Sequence, residues 1–108
     1  AVPMKKLLTL MVALAISSPV LAETDPERLK ECLMDADIAE VISMKRQQGI
    51  PRQVITDSIE STMPENLQPY FNAIVNSAYS RPIQVTEQAR NNVNTEIRNL
   101  VMNICLES

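Results

Sequence analysis

Few residue types in this sequence could carry out chemistry. The 108 residues include no His, two Cys and a single Gly. Without His the chain has no Ser–His or Cys–His pair and no His-ligated zinc site. One Gly also excludes the glycine-rich loops that bind phosphate in nucleotide-binding proteins. We therefore expect a protein that is not an enzyme and that holds no cofactor.

An acidic cluster is the first candidate for a metal site. Asp35, Asp37 and Glu40 lie close together in the sequence, within a segment whose pattern is helical. Helical spacing puts Asp37 and Glu40 on one side and Asp35 on another. Calcium sites usually take their oxygen ligands from a loop with a glycine-permitted turn, so we predict no metal here. A hydrolase that uses carboxylates alone is the least favoured alternative, because the spacing provides no facing pair.

Cationic and aromatic residues at two chain turns are the candidates for partner recognition. Lys45, Arg46 and Arg52 bracket the first turn, and compensation of a helix C-terminus would explain the first two. An anionic partner at this corner is the alternative. Tyr79 and Arg81 lie at a later break, where a Tyr typically covers the core and keeps its hydroxyl in water. We retain these five residues as candidate partner-binding residues.

The two cysteines have a spacing typical of a structural disulfide. Cys32 and Cys105 are 73 residues apart, whereas redox-active pairs are usually closely spaced, as in C-x-x-C. Two cysteines in an exported chain are expected to oxidise to one another. We predict that they pair.

The first 22 residues have the three parts of a secretory signal peptide. Translation would start at Met4, the cations Lys5-Lys6 follow, and Leu7–Ile16 is an apolar run that ends before Ala22. This run is too short to span a membrane, which takes about 20 apolar residues. We predict cleavage after Ala22, a periplasmic or secreted location, a mature form without a stable membrane anchor, and a single domain of residues 23–108.

The remaining chain is patterned as four helices. We expect them to begin near Pro26, near Pro51, between Glu65 and Pro69, and near Thr86, where capping or first-turn residues precede apolar spacing of 3.6. Breaks are predicted at Gly49, Met63-Pro64 and Ser80–Pro82. A bundle of alternating helices would bring Cys32 and Cys105 to one end. The predicted fold is a small all-α four-helix bundle stapled by one disulfide.

Apolar faces predict how these helices pack. The first helix has a second apolar face at Met34, Ile38, Val41 and Ile42, so we expect it to lie wedged among neighbours. The last helix has one apolar stripe and an opposite face predicted to be solvated, namely Arg90, Asn91, Asn94, Thr95, Arg98 and Asn99. Ile83–Val85 alternates like a strand but is too short to form a sheet.

The charge of the predicted mature chain bears on its partners. Residues 23–108 carry 8 cationic and 13 anionic side chains, a net charge of −5. They contain no basic block, so we expect no nucleic-acid partner.

The order of signal, early Cys, Arg-Gln-Gln-Gly-Ile-Pro turn, Ala-Tyr-Ser-Arg-Pro and late Cys resembles small exported proteobacterial helical proteins of unknown function. That resemblance implies no activity. In size, export and single disulfide the chain is also similar to periplasmic acid-stress chaperones, by analogy only. The leading hypothesis is a non-enzymatic protein that acts by protein–protein contact, as an inhibitor, immunity-type protein or adaptor. An acid-stress chaperone that exposes Met34 and Ile38 at low pH is the alternative.

Overall fold

All regular structure in residues 25–107, the part of the chain that the computed structural model describes, is helical. Four α-helices follow one another: α1 (Pro26–Gln47), α2 (Arg52–Thr62), α3 (Gln68–Tyr79) and α4 (Glu87–Glu107). A short 3₁₀ turn, Glu65–Leu67, precedes α3. The predicted all-α class is confirmed, whereas the predicted signal peptide, residues 1–22, lies outside the described residues.

The chain divides into two units between Glu31 and Cys32. Of the first unit the structure describes residues 25–31, the opening turns of α1, where the Asp25 carboxylate accepts a hydrogen bond from the Glu27 amide (3.3 Å). The second unit contains the rest of α1 and all of α2, α3 and α4. The core and the sites described below belong to this second unit.

The turn between α1 and α2 is short because Gly49 ends α1. Gly49 has a φ of +84°, which an L-residue with a side chain rarely adopts. The Gly49 amide donates to the Arg46 carbonyl (2.9 Å), and the Ile50 amide donates to the Lys45 carbonyl (3.0 Å). These two bonds form a Schellman motif, which satisfies the last carbonyls of α1. Arg52 therefore begins α2 only five residues after α1 ends.

The predicted disulfide is present. Cys32, near the start of α1, is bonded to Cys105, in the last turn of α4, and their Cα atoms are 5.6 Å apart. The Cys32 side chain is fully buried. The bridge therefore ties the first helix to the last.

A single apolar cluster fills the space between the helices. Small residues of α1, such as Ala39, let the larger side chains of the other helices approach closely. Members of this cluster are Ala39, Ile42, Ile55, Ile59, Phe71, Ile74, Val75, Ala78, Ile97 and Val101. The apolar spacing predicted for α3 is confirmed at Phe71, Ile74, Val75 and Ala78, all of which are buried.

The prediction that one face of the last helix is entirely solvated was wrong at Asn94. This side chain is buried, and its Oδ1 accepts a hydrogen bond of 2.6 Å from the hydroxyl of Ser43, itself buried on α1. A buried amide is tolerated because this partner replaces water. Arg98, on the same predicted face, is partly buried by contact with α1.

Several residues that were predicted to be core are instead exposed. On α1, Met34 is 58% exposed and Val41 49% exposed, whereas Ile42 is buried and Ile38 packs partly buried against the core, so the second apolar face is covered only in part. Val54 on α2 and Leu100 and Ile104 on α4 are also exposed. Only three other helices are available in the described chain to cover α1, and they pack on its small-residue face instead.

Candidate functional site

Three of the five predicted partner-binding residues come together at one corner of the molecule. The guanidinium of Arg46 lies 5.2 Å from the centroid of the Tyr79 ring, an arrangement that favours cation–π attraction. Arg46 Nε also donates to the carbonyl of Arg81 (3.0 Å). The cluster joins the end of α1 to the end of α3. These side chains are therefore engaged within the chain.

The Tyr79 hydroxyl has an internal partner, so the prediction that it would be in water was wrong. It donates a 2.6 Å hydrogen bond to the carbonyl of Ile50, in the α1–α2 turn. Burial raises the pKa of Tyr79, and the nearby positive charge of Arg46 opposes that rise. The phenol is thus held in the protonated form in which it donates. Tyr79 fixes the turn.

Side chains from α1 and α4 hydrogen-bond to the backbone of the segment between α3 and α4. Gln47, buried at the end of α1, donates from Nε2 to the Pro82 carbonyl (3.1 Å) and accepts from the Gln84 amide (2.7 Å). Arg90 Nη1 donates to the carbonyls of Gln84 and Val85. We call this set of contacts the Gln47 latch.

Arg81, another predicted partner-binding residue, is also occupied. Its Nη1 donates to the carbonyl (2.9 Å) and the hydroxyl (3.1 Å) of Ser77, and its Nε lies 3.2 Å from Glu96 Oε1. These contacts position the start of the α3–α4 segment.

Lys45 and Arg52 differ from the other three predicted residues. Both are exposed, and neither forms a salt bridge within residues 25–107. Lys45 lies in the last turn of α1 and Arg52 is the first residue of α2, so both flank the turn at Gly49. Lys45 also lines a cavity between α1 and α2.

That cavity is an open apolar groove between α1 and α2, with a volume of about 340 Å³. Six apolar side chains dominate its walls, and polar groups occur mainly at its margins. The groove is lined by Asp37, Ile38, Val41, Ile42, Lys45, Ile55, Ser58, Ile59, Thr62 and Met63. A volume of this size lies at the lower end of the range for ligand sites.

Both walls of the groove arise from helical spacing. On α1 the lining residues Ile38, Val41, Ile42 and Lys45 follow the i, i+3, i+4, i+7 pattern of one helix face. The second apolar face of α1 contains three of these residues, of which Ile42 is buried, Ile38 is half-buried and Val41 is exposed, and this partial coverage leaves the groove open. The sequence analysis identified this apolar face of α1 but assigned it to the core, and for that reason it did not predict the groove.

The two ends of the groove differ in charge. At one end Asp37 is paired with Arg98 of α4, which also contacts Glu40 (3.0 Å). The pKa of Arg98 is raised, chiefly by its hydrogen bond to Asp37. Two carboxylates face one guanidinium here, so this end keeps a net negative charge. At the other end Lys45 makes no ion pair with any described residue. An anionic group is therefore favoured at the Lys45 end.

A smaller apolar cavity of about 160 Å³ lies between α3 and α4. Tyr70, Ile74 and Leu100 are among its lining residues. Burial first, and then the negative charge of Asp35, raise the pKa of Tyr70. The cavity is about half the volume of the α1–α2 groove and has no charged lining residue, although Tyr70 and Ser77 each bring a hydroxyl-bearing side chain to its lining.

The described residues contain no group of three or more His, Cys, Asp or Glu side chains that could hold a metal ion. Asp37 and Glu40 of the acidic cluster both bind Arg98 instead. No helix in residues 25–107 is long and apolar enough to cross a membrane.

Comparison of the chain with protein-family models, curated proteins and solved structures finds no match. The geometry of the chain itself is therefore the basis for the functional proposal below.

Proposed function

We propose that this protein is a non-enzymatic binding module that holds an apolar segment of another protein in the groove between α1 and α2. The observation that carries this proposal is the partly uncovered second apolar face of α1, where Val41 is 49% exposed beside the buried residues Ile42 and Ile59. Apolar grooves between helices recognise amphipathic helices in many complexes. An inhibitor, an immunity-type protein or an adaptor would each work in this way.

The dimensions of the groove suit a short helical segment. Along α1 the groove extends from Asp37 to Lys45, which corresponds to about 12 Å at the helical rise of 1.5 Å per residue. A helix that presents apolar side chains at i, i+3 or i+4, and i+7 spans about 10 Å over the same positions. Three anchor side chains would therefore fit the groove.

Binding of a model peptide tests this function. The probe is a capped, helix-stapled 12-residue peptide with leucines at positions 3, 7 and 10 and glutamines elsewhere on its binding face. We expect amide chemical shifts to change at the groove residues and fluorescence anisotropy to give saturable binding. Val41→Asp places a charge in the groove without disturbing the core, and it should weaken binding at least about tenfold.

Val54→Asp is the matched control. Val54 is 53% exposed on α2 but does not line the groove, so the same chemical change there should leave the affinity unchanged. Absence of saturable binding, or equal affinities for the two variants, would overturn the proposed function.

We also propose that the protein is exported and acts in a periplasm or outside the cell. The Cys32–Cys105 disulfide supports this location, because such bonds persist in oxidising compartments. Mass spectrometry of protein from the periplasmic or secreted fraction should find Glu23 as the first residue. Recovery of chains that retain residues 5–22 from that fraction would contradict the proposed cleavage.

The chaperone alternative required an apolar face that opens in acid. Met34, one of the residues assigned to that opening, is already 58% exposed in the folded chain. Contact through this part of α1 therefore needs no acid-induced step, and we favour constitutive binding.

A further inference from the structure

We infer that the partner segment is an amphipathic helix with an acidic residue at one end, and that this residue binds at the Lys45 end of the groove. The inference rests on the proposed function and adds the chemistry of the partner and its alignment. The supporting observation is the unequal charge compensation of the two ends of the groove.

Two cationic residues from different helices lie near the cationic end of the groove, and of these Lys45 is a lining residue whereas Arg52 is not. Lys45 lines the groove in the last turn of α1. Arg52 lies one turn before Ile55 on α2, at i−3, so the two residues share a helix face. The short Gly49 turn connects these two helix ends. Two positive side chains therefore lie at the same end of the apolar walls.

No acidic side chain of the neighbouring helices neutralises this end. Among described residues Lys45 and Arg52 form no salt bridge. The acidic residues of α2, Asp57 and Glu60, do not line the groove, and Asp57 accepts a hydrogen bond from Gln53 instead. A carboxylate on a bound helix would be the nearest counter-charge.

The opposite end of the groove offers no equivalent site for a carboxylate. Asp37 is the charged lining residue there, and it shares Arg98 with Glu40. A further carboxylate at that end would meet two carboxylates and one guanidinium, and the net negative charge would repel it. The acidic end of the partner is therefore assigned to Lys45 and Arg52 alone.

The apolar walls and the charged end have separate consequences for affinity. Burial of leucine-type side chains supplies most of the binding free energy, because apolar surface leaves water. An exposed ion pair contributes little binding free energy, but it favours one orientation of the bound helix and one kind of partner. A neutral amphipathic helix should thus bind weakly, and an acidic one should bind more tightly in low salt.

Three peptides on the stapled scaffold described above test the inference. Two carry a glutamate at either the first or the last position, and the third carries glutamine at both. We expect one glutamate peptide to bind about fivefold more tightly than the glutamine peptide in 20 mM salt. The preference should shrink in 500 mM salt, because screening weakens exposed pairs.

Charge-removing variants locate the preference. Lys45→Gln combined with Arg52→Gln should abolish it, so that all three peptides bind the double variant with equal affinity. Lys30→Gln is the matched control, since Lys30 is also an exposed lysine of α1 but lies fifteen residues earlier in the sequence. This control should preserve the fivefold preference.

The outcomes separate the inference from the proposed function. Equal affinities for all three peptides, or a preference that survives the double variant, would overturn the inference and leave the proposed function standing. Failure of every peptide to bind would overturn both. Dimerisation that Val41→Asp abolishes, or binding of decanoate without any peptide binding, would assign the groove to a second copy or a small amphiphile and overturn the inference.

Discussion

Reduction of the Cys32–Cys105 disulfide is expected to lower the free energy of unfolding by about 4.5 kcal/mol. The bond closes a loop of 73 residues, and the entropy that such a loop removes from the unfolded chain gives this value in the chain-entropy model. Small domains have a total stability of about 5–10 kcal/mol. One covalent bond therefore accounts for a large fraction of the stability expected for a domain of this size.

Thermal unfolding with and without a reductant measures the effect. At this chain length about 4.5 kcal/mol corresponds to a fall in Tm of roughly 20 °C or more. The variant Cys32→Ala/Cys105→Ala is the control, because its Tm should already be low and should not respond to the reductant. A fall of only a few degrees in the native chain would contradict the prediction.

Gln47→Leu is expected to destabilise the protein by about 2–3 kcal/mol, although leucine fits a buried helical position. The substitution removes the hydrogen bonds to the Pro82 carbonyl and the Gln84 amide and leaves both backbone groups without their partner. Each part-buried group that loses its partner costs about 1–1.5 kcal/mol. Leucine supplies no polar atom to replace them.

Gln48→Leu is the matched control for this prediction. Gln48 is adjacent in sequence and exposed, so its replacement should change stability by less than about 0.5 kcal/mol. Urea denaturation gives the free energies, and amide exchange at Gln84 reports the lost bond directly. Similar stabilities for the two variants would show that the Gln47 latch contributes little.

Much of the fold could be predicted because its determinants are local. Pro and Gly placement marked the helix boundaries, and the 3.6-residue apolar spacing of α3 matched its buried residues Phe71, Ile74, Val75 and Ala78. The disulfide was predicted from two widely spaced cysteines in a chain expected to be exported, and an even number of alternating helices brings the two to the same end. Each of these inferences needs only neighbouring residues or simple connectivity.

The candidate site was harder to predict, because the groove exists only where no other helix packs over the apolar side chains of α1 and α2. The spacing of Ile38, Val41 and Ile42 identified an apolar face on α1, but spacing alone does not distinguish a core face from an open groove. Asn94 was misassigned for a related reason. Its partner Ser43 is 51 residues away, and only the packed structure brings the two together.

The predicted partner-binding residues separate into two groups for a physical reason. Arg46, Tyr79 and Arg81 bind backbone carbonyls, an aromatic ring or each other, which a sequence does not reveal. Lys45 and Arg52 remain exposed beside the groove. Charge and position alone made all five residues equivalent candidates.

The Gln47 latch has a consequence for the resistance of the folded chain to proteolysis. In the segment between α3 and α4, Val85 is 91% exposed and Ile83 is 47% exposed, so a protease can reach this part of the chain. A protease must draw several residues into an extended strand before it can cleave, yet Gln47 and Arg90 hold the backbone of this segment at four points. A protease can therefore contact the segment but should cleave it only after the hydrogen bonds of the Gln47 latch break. The rate of cleavage in this segment would then report how often it unfolds locally.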